Sequence, residues 1–374
     1  MQQIWDPRFL SRIDWRILPA ILALMSISLL VISSMTGEPF EGFWTPHVKS
    51  QVRWFILGWA VFAAAASFDY RKLRNAGWIF YALIVVLLLG LFFTAPIQNV
   101  HRWYRIPGIG LTIQPSEHAK LAVVIALAAF LDKQRAQTLA VSMQAALLVG
   151  VPFLLILKQP DLGTALILFP IALAMGYFAG LHAGFIRILS LAGLSLFAII
   201  ICLFTGVVSH EEMRPVFTKF MKEYQYERLN PDTYHQRAAA IAISVGGVAG
   251  AGWKKGEFAG RKWLPAAHTD SVFAAYGEEF GLTGLLILLS LFFGLIYFSL
   301  QVAVVARDRF GRLLGVGLAV YLAMHVLLNV GMMCALLPIS GVPLIFVTYG
   351  GNSLLTTMAA LGLLQSIYSR RFMF

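Results

Sequence analysis

Apolar residues run along this chain in long stretches, and polar residues collect between them. A stretch near the roughly 20 residues that a bilayer core demands reads as a membrane span. About ten such stretches are present, with approximate cores at Leu18 to Met35, Trp54 to Ser67, Ala76 to Thr94, Lys120 to Leu131, Leu139 to Leu157, Gly163 to Gly180, Phe185 to Val207, Leu282 to Ala306, Leu313 to Leu337 and Pro343 to Tyr368. The second and fourth are short, so their ends are set only to within several residues. One long polar excursion, about 209–270, separates the seventh and eighth stretches and closes on His268-Thr269-Asp270, where the next apolar helix begins. The pattern predicts an all-α polytopic membrane protein with a single transmembrane domain over 1–374, the excursion being a loop within it.

Composition sharpens this. The 374 residues are 59% hydrophobic and 13% charged, with a mean hydropathy of +0.76; globular domains carry roughly twice that charged fraction. A soluble chain is excluded. Cys202 and Cys334 both fall inside apolar stretches, where they pack as small hydrophobes and support neither a disulfide framework nor a zinc site. The first stretch follows Arg8, Arg12 and Arg16 and is long enough to stay as a signal anchor, so no cleavable signal peptide is expected.

Charge sets the orientation, because lysine and arginine in short loops are retained in the cytoplasm. Threading ten spans puts Arg8/Arg12/Arg16, Arg71/Lys72/Arg74, Lys133/Arg135, Arg187, Arg307/Arg309/Arg312 and Arg370/Arg371 on one side, which makes both termini cytoplasmic and the long loop extracytoplasmic. The outer face is basic as well, with Arg53, Arg102, Arg105, Lys120 and Lys158 near the membrane and Lys254, Lys255, Arg261 and Lys262 in the loop. Singly, these cations snorkel, contact lipid phosphates or pair with Glu38, Glu41, Glu117 and Glu257. As a group they suit an anionic substrate presented from the outer leaflet.

The loop holds Pro215, a charged stretch from Lys219 to Arg228, a candidate interfacial helix over Tyr234 to Val245, and the glycine-rich run Gly246 to Gly252. That run lacks Walker A spacing and a GxGxxG in a βαβ setting, so nucleotide binding is rejected, and no nucleic acid partner is expected. It reads either as a flexible returning loop or as backbone that hugs a phosphate or sugar.

Four polar clusters fall at the outer face: Arg102-Trp103 with Gln114-Pro115-Ser116-Glu117 and Lys120; Gln159-Pro160-Asp161-Leu162-Gly163-Thr164-Ala165; Leu264-Pro265 through His268-Thr269-Asp270 to Glu278-Glu279-Phe280-Gly281-Leu282; and Asn329-Val330-Gly331-Met332 with Leu337-Pro338-Ile339-Ser340-Gly341-Val342-Pro343-Leu344 and Tyr349-Gly350-Gly351. Ionisable residues at a membrane are costly enough that such a gathering calls for a function. Over nearly the whole chain these clusters resemble the SEDS family (shape, elongation, division and sporulation), the membrane-embedded peptidoglycan glycosyltransferases. QPSE with a following lysine, QPDLGTA, LPxxHTD with a downstream EExGL, and PxxGVPL with YGG carry the likeness together. The plain length and the HTD loop are more similar to the RodA-type elongation branch than to the FtsW-type division branch. Departures include Thr348 in place of the serine of SYGG, Asn99-Val100-His101-Arg102-Trp103 in place of a GAQRW-like element, Ser271 after Asp270, and Tyr234-His235-Gln236-Arg237-Ala238-Ala239-Ala240 where relatives carry a Gln-Ser pair.

The resemblance implies polymerisation of lipid II in the bacterial cytoplasmic (inner) membrane, for wall elongation and cell shape. A sugar hydroxyl attacks the anomeric carbon of a second lipid-linked disaccharide and polyprenyl pyrophosphate departs. It implies a class B penicillin-binding protein transpeptidase and other elongation-complex membrane proteins as partners. Asp270 matches the family's essential aspartate and is the candidate general base, a role typically worth about 10² to 10⁴ in rate; as a residue it reads equally as a helix N-cap. The pyrophosphate would be met by cations or by a divalent metal, Mg or Mn. Arg102, Lys120 and Lys158 are the candidates, and Glu117 and Lys120 alternatively form an i,i+3 salt bridge. Gln114 either binds substrate or terminates its loop, and Asp161 orients a cation or holds Lys158. Glu278, eight residues beyond Asp270 and near the same helical face, is favoured over Glu279 as its neighbour. His268 reads as a supporting interface histidine, with no second histidine at zinc-ligand spacing. The rival classes are a lipid II flippase, for which proline-broken ends at Pro152, Pro170 and Pro343 would also suit, and a noncatalytic scaffold for a wall synthase. The gathering of the clusters on one face favours the enzyme.

Overall fold

The computed structural model describes residues 12–36, 42–95, 100–105, 112–134, 138–219, 223–227, 229–230, 232–261 and 263–372. Arg8, Glu38, Glu41, Asn99, Arg135, Arg228 and Lys262, named above, lie outside them. Before the long loop come α1 (Ile17–Thr36), α2 (Pro46–Ser67), α3 (Leu73–Gly90), a two-stranded antiparallel ribbon of β1 (Tyr104–Arg105) and β2 (Thr112–Ile113), α4 (Pro115–Lys133), α5 (Leu139–Lys158), α6 (Leu162–Ala179) and α7 (Ala183–Phe204). The loop carries α8 (His210–Phe217), α9 (Glu223–Glu227), α10 (Tyr234–Gly246) and α11 (Glu257–Gly260), and α12 (Val272–Val305), α13 (Arg309–Met333) and α14 (Asn352–Ser369) follow.

Among the described residues, seven helices are apolar and long enough to cross a membrane by length and composition. Three further long helices, α2, α4 and α14, are more polar for a visible reason. In α4 nearly every position from Pro115 to Leu131 is buried, and α14 buries Thr356, Thr357, Gln365 and Ser366 among other helices. A helix wrapped by protein can carry polar groups that a lipid-facing one cannot. At the opposite extreme, α7 has Leu203 as its single buried residue and rests against α6.

Helix starts follow local chemistry. Thr45, Thr138, Asp161 and Asp308 cap α2, α5, α6 and α13 by accepting from the main-chain N–H three residues on, and Pro46 and Pro115 occupy first-turn positions that need no donor. Two boundaries differ from the sequence expectation. The eighth span begins at Val272 instead of Leu282, continuing through a break at Gly281, and the last begins at Asn352 instead of Pro343. Residues 337–351 form an irregular segment whose carbonyls are taken by side chains.

The two ends of the bundle are tied differently. At one, Arg309 donates to the carbonyls of Gln134 and Ala179 at 2.9 and 3.0 Å, Arg370 donates to Ser67 at 2.8 Å, and Arg74 pairs with Asp132 at 2.9 Å. Each guanidinium faces a helix C-terminus or a carboxylate, where exposed carbonyls concentrate partial negative charge. At the other end lie the four polar clusters.

The glycine-rich run neither wanders nor stands open. Ala251 and Gly252 donate to the carbonyls of Glu278 and Glu279 at 3.0 and 2.9 Å, while Leu282 and Thr283 donate back to Gly247 and Val248 at 2.8 and 3.1 Å. The run thus supplies the partners that the broken turn of α12 lacks. A Cβ on Gly281 (φ 63°) would stand 2.4 Å from the nitrogen of Gly250, so both glycines are required for this approach.

Candidate active site

The first two clusters interlock around one carboxylate. The β-ribbon delivers Trp103 to Gln114, whose Oε1 accepts from the indole N–H at 3.2 Å. The amide of Gln114 donates to Ser116 Oγ at 3.1 Å and to Asp161 Oδ2 at 3.2 Å, and Ser116 donates to the same oxygen at 2.8 Å. Asp161 also caps α6 through the N–H of Thr164. Gln114 and Asp161 therefore hold the starts of α4 and α6 together. Lys158 is exposed in the last turn of α5 and makes no ion pair among the described residues, so Asp161 does not hold it.

The third and fourth clusters are joined through main-chain carbonyls. Asn329 of α13 donates to Asp270 O at 3.1 Å and to Val342 O at 2.8 Å. Thr348 Oγ1 accepts from Leu344 N at 2.9 Å and donates to Thr269 O at 3.2 Å, a bridge that a serine hydroxyl would also make. Tyr349 N donates to His268 O at 3.0 Å, and the rings of His47, His268 and Tyr349 stand 5.2 to 5.9 Å apart. His268 and Thr269 thus support the turn that presents Asp270. Gly163 connects the two halves, since a Cβ there would lie 2.6 Å from Ser340 O.

Asp270 lies outside α12, and Ser271 is the N-cap residue, which removes the capping reading of Asp270. The Asp270 carboxylate lies against Gly341, 3.6 Å from where a Cβ would stand. Burial raises its pKa above the usual aspartate value, opposed by the positive fields of His235 and Arg102. Arg102 is itself steered by the C-terminus of α5, donating to Gln159 O at 3.0 Å and to Pro160 O. Burial likewise pushes His235 and His268 below the usual histidine value, with the neighbouring His47 adding to the effect on His268. What results is a carboxylate in the field of a nearby guanidinium, on a turn of hydrogen-bonded main chain.

Two expected participants sit elsewhere. Lys120 is fully buried, bonded to Glu117 at 2.8 Å and to His325 Nε2 at 2.9 Å, and His325 Nδ1 reaches Pro343 O at 3.1 Å. The salt-bridge reading of Glu117 and Lys120 is the one the structure bears out, and Lys120 is a core group, not a cation at the mouth. Glu278 shares no helix with Asp270, so the common-face argument fails. It is fully buried and accepts from Phe258 N at 2.7 Å, while Glu279 accepts from Lys254 N at 2.9 Å and from Ser34 Oγ. Both carboxylates hold the loop to α12. Sequence reasoning missed His325, a lone histidine in an apolar stretch with no pattern to mark it, and the contact of His235 with the Asp270 turn. Among the described residues no group of three or more His, Cys, Asp or Glu is placed to hold a metal ion.

Comparison with known proteins bears on what this arrangement does. Residues 13–371 match the family model for the FtsW, RodA and SpoVE cell cycle proteins. The chain is 33% identical to the peptidoglycan glycosyltransferase MrdB of Escherichia coli K12 over 384 aligned residues, covering 99% of this chain and 96% of that one. It is 31% identical to the probable peptidoglycan glycosyltransferase FtsW of Geobacter sulfurreducens, covering 96% of each. Among solved structures it is similar to a chain from work on the structural coordination of polymerization and crosslinking by a peptidoglycan synthase complex, at TM-score 0.77 and 26% identity over 97% of this chain and 99% of that one. The rod shape determining protein RodA of Thermus thermophilus matches at TM-score 0.70 and 26% identity, over 96% and 98%.

Proposed function

The chain belongs to the FtsW/RodA/SpoVE family of cell cycle proteins and is a multi-pass membrane peptidoglycan glycosyltransferase of RodA type; we propose that it polymerises lipid II at the outer face of the cytoplasmic membrane, with Asp270 as general base. The observation that carries this reading is the Asp270 carboxylate, set on a turn held at three main-chain carbonyls and lying in the positive field of Arg102. All ten long helices would then span, α2, α4 and α14 within the protein interior, with both termini cytoplasmic and the loop over 209–270 outside.

In the reaction, the sugar hydroxyl of one lipid-linked disaccharide gives its proton to Asp270 as its oxygen bonds the anomeric carbon of the other. The bond from that carbon to the pyrophosphate oxygen breaks, and the electron pair leaves with polyprenyl pyrophosphate. Raising the carboxyl above its ordinary value makes it a stronger base, which proton transfer favours. Arg102 offsets the charge developing on the leaving group, and a preorganised cation of this kind needs no rearrangement during reaction. Lys158, exposed at the same end of the bundle, is the second cation available to the pyrophosphate.

A class B penicillin-binding protein transpeptidase is the proposed partner, together with other elongation-complex membrane proteins, and the likeness to a chain from a peptidoglycan synthase complex supports it. Purified protein, with and without the transpeptidase, is incubated with lipid II and glycan polymer is measured. Wild type should make polymer and Asp270→Asn should not. Polymer made equally by both removes the base assignment, and translocation of lipid II in liposomes without polymer replaces the enzyme with a flippase.

A further inference from the structure

His235 occupies the first turn of α10, and its Nε2 lies 2.6 Å from the hydroxyl of Ser271. That hydroxyl donates its proton to Pro265 O at 2.8 Å, so it can only accept from the ring, and Nε2 carries the hydrogen. Ser271 N in turn donates to Ala266 O at 3.1 Å. A serine at a helix N-cap ordinarily turns its hydroxyl to the N–H groups of the first turn. Ser271 caps α12 without any such side-chain bond. Its hydroxyl is spent on His235 and on the turn that carries Asp270.

We propose that His235 is a positioning residue for the base: through Ser271 it fixes the main chain of Asp270. The inference rests on the reading of Asp270 as general base. It adds a fourth attachment to a turn already held at Asp270 O by Asn329, at Thr269 O by Thr348 and at His268 O by Tyr349, and it is the one that comes from the extracytoplasmic loop. Losing the ring therefore frees the turn that carries Asp270.

The test uses the full-length protein with its transpeptidase and lipid II, comparing His235→Ala, His235→Gln and Asp270→Asn. His235→Ala should lower kcat by about 10- to 100-fold with little change in KM, as expected when a reacting group is misplaced by about an ångström. The amide of His235→Gln can still donate to Ser271 and should recover most of that loss. In both variants KM for lipid II should stay near the wild-type value, a split between kcat and KM that a general loss of fold would not produce. Full kcat in His235→Ala, with Asp270→Asn inactive, overturns this inference and leaves the base standing. An equal loss in His235→Gln and His235→Ala, with lowered thermal unfolding in both, also overturns it. Activity in Asp270→Asn removes the base and this inference together.

Discussion

One amide of Asn329 bonds two carbonyls, those of Asp270 and Val342, and so joins the turn that presents the base to the segment that lies beneath it. Asn329 is fully buried, and no water can replace it without a cavity.

Asn329→Leu should therefore leave both carbonyls unpaired, at about 1–3 kcal/mol each. Lipid II polymerisation should fall by about 100-fold because the base loses its position. Asn329→Asp should do no better, since a carboxylate has no hydrogen to donate. Polymer yield and thermal unfolding in detergent check this, and a fully active Asn329→Asp would contradict it.

Lys120 and Glu117 separate a structural role from a catalytic one. Lys120→Met strands a buried carboxylate and should destabilise the protein by about 3–5 kcal/mol. Combining it with Glu117→Gln should recover most of that stability, because two neutral side chains of similar volume replace the pair. Polymerisation should return with the fold. A double variant that melts like wild type yet makes no polymer would assign Lys120 to the leaving group after all.

Gly281→Ala introduces a Cβ 2.4 Å from Gly250 N and 2.6 Å from Val248 O, at a backbone conformation (φ 63°, ψ −164°) reserved almost wholly for glycine. A loss of at least about 2 kcal/mol is expected, from strain and overpacking together. Thermal unfolding unchanged from wild type would mean that the stitch between loop and helix is not built as described.

The raised pKa of Asp270 has a thermodynamic sign. Its folded value exceeds the ordinary 3.8 because burial disfavours the charge, so the folded state binds this proton more tightly than the unfolded one. Stability from this group is fully present below the ordinary value and is lost as pH rises through the raised one. Asp270→Asn should accordingly unfold at a higher temperature than wild type at neutral pH, with the advantage vanishing in acid below the ordinary aspartate range. Equal unfolding temperatures at both pH values would show that the carboxyl is not desolvated.

Much of this was legible from residues alone. The apolar runs gave away the long helices, and the four clusters did converge, because each carries side-chain donors or turn-forming residues that have no place in lipid. What could not be read was the direction of individual side chains. Glu278 and Glu279 depress hydropathy over the first turns of α12, which delayed its expected start to Leu282, whereas each carboxylate accepts from a loop N–H through one oxygen. Residues Val342 to Val347 are apolar enough to pass for helix, and Pro343 is tolerated at a helix start. Their path is irregular because Asn329, His325 and Thr348 claim the main chain there.

Beside His235, the attachments of the Asp270 turn are made by amides and hydroxyls, Asn329 and Thr348 among them, and Gln236 reaches Leu337 O of the adjoining segment at 2.9 Å. Neutral groups of this kind neither titrate nor respond to ionic strength. A pyrophosphate arriving with its counterions changes the charge of the pocket without loosening the frame around it. Acid, salt and substrate then act on the reactive carboxylate and on His235, while the amide and hydroxyl attachments stay indifferent to all three.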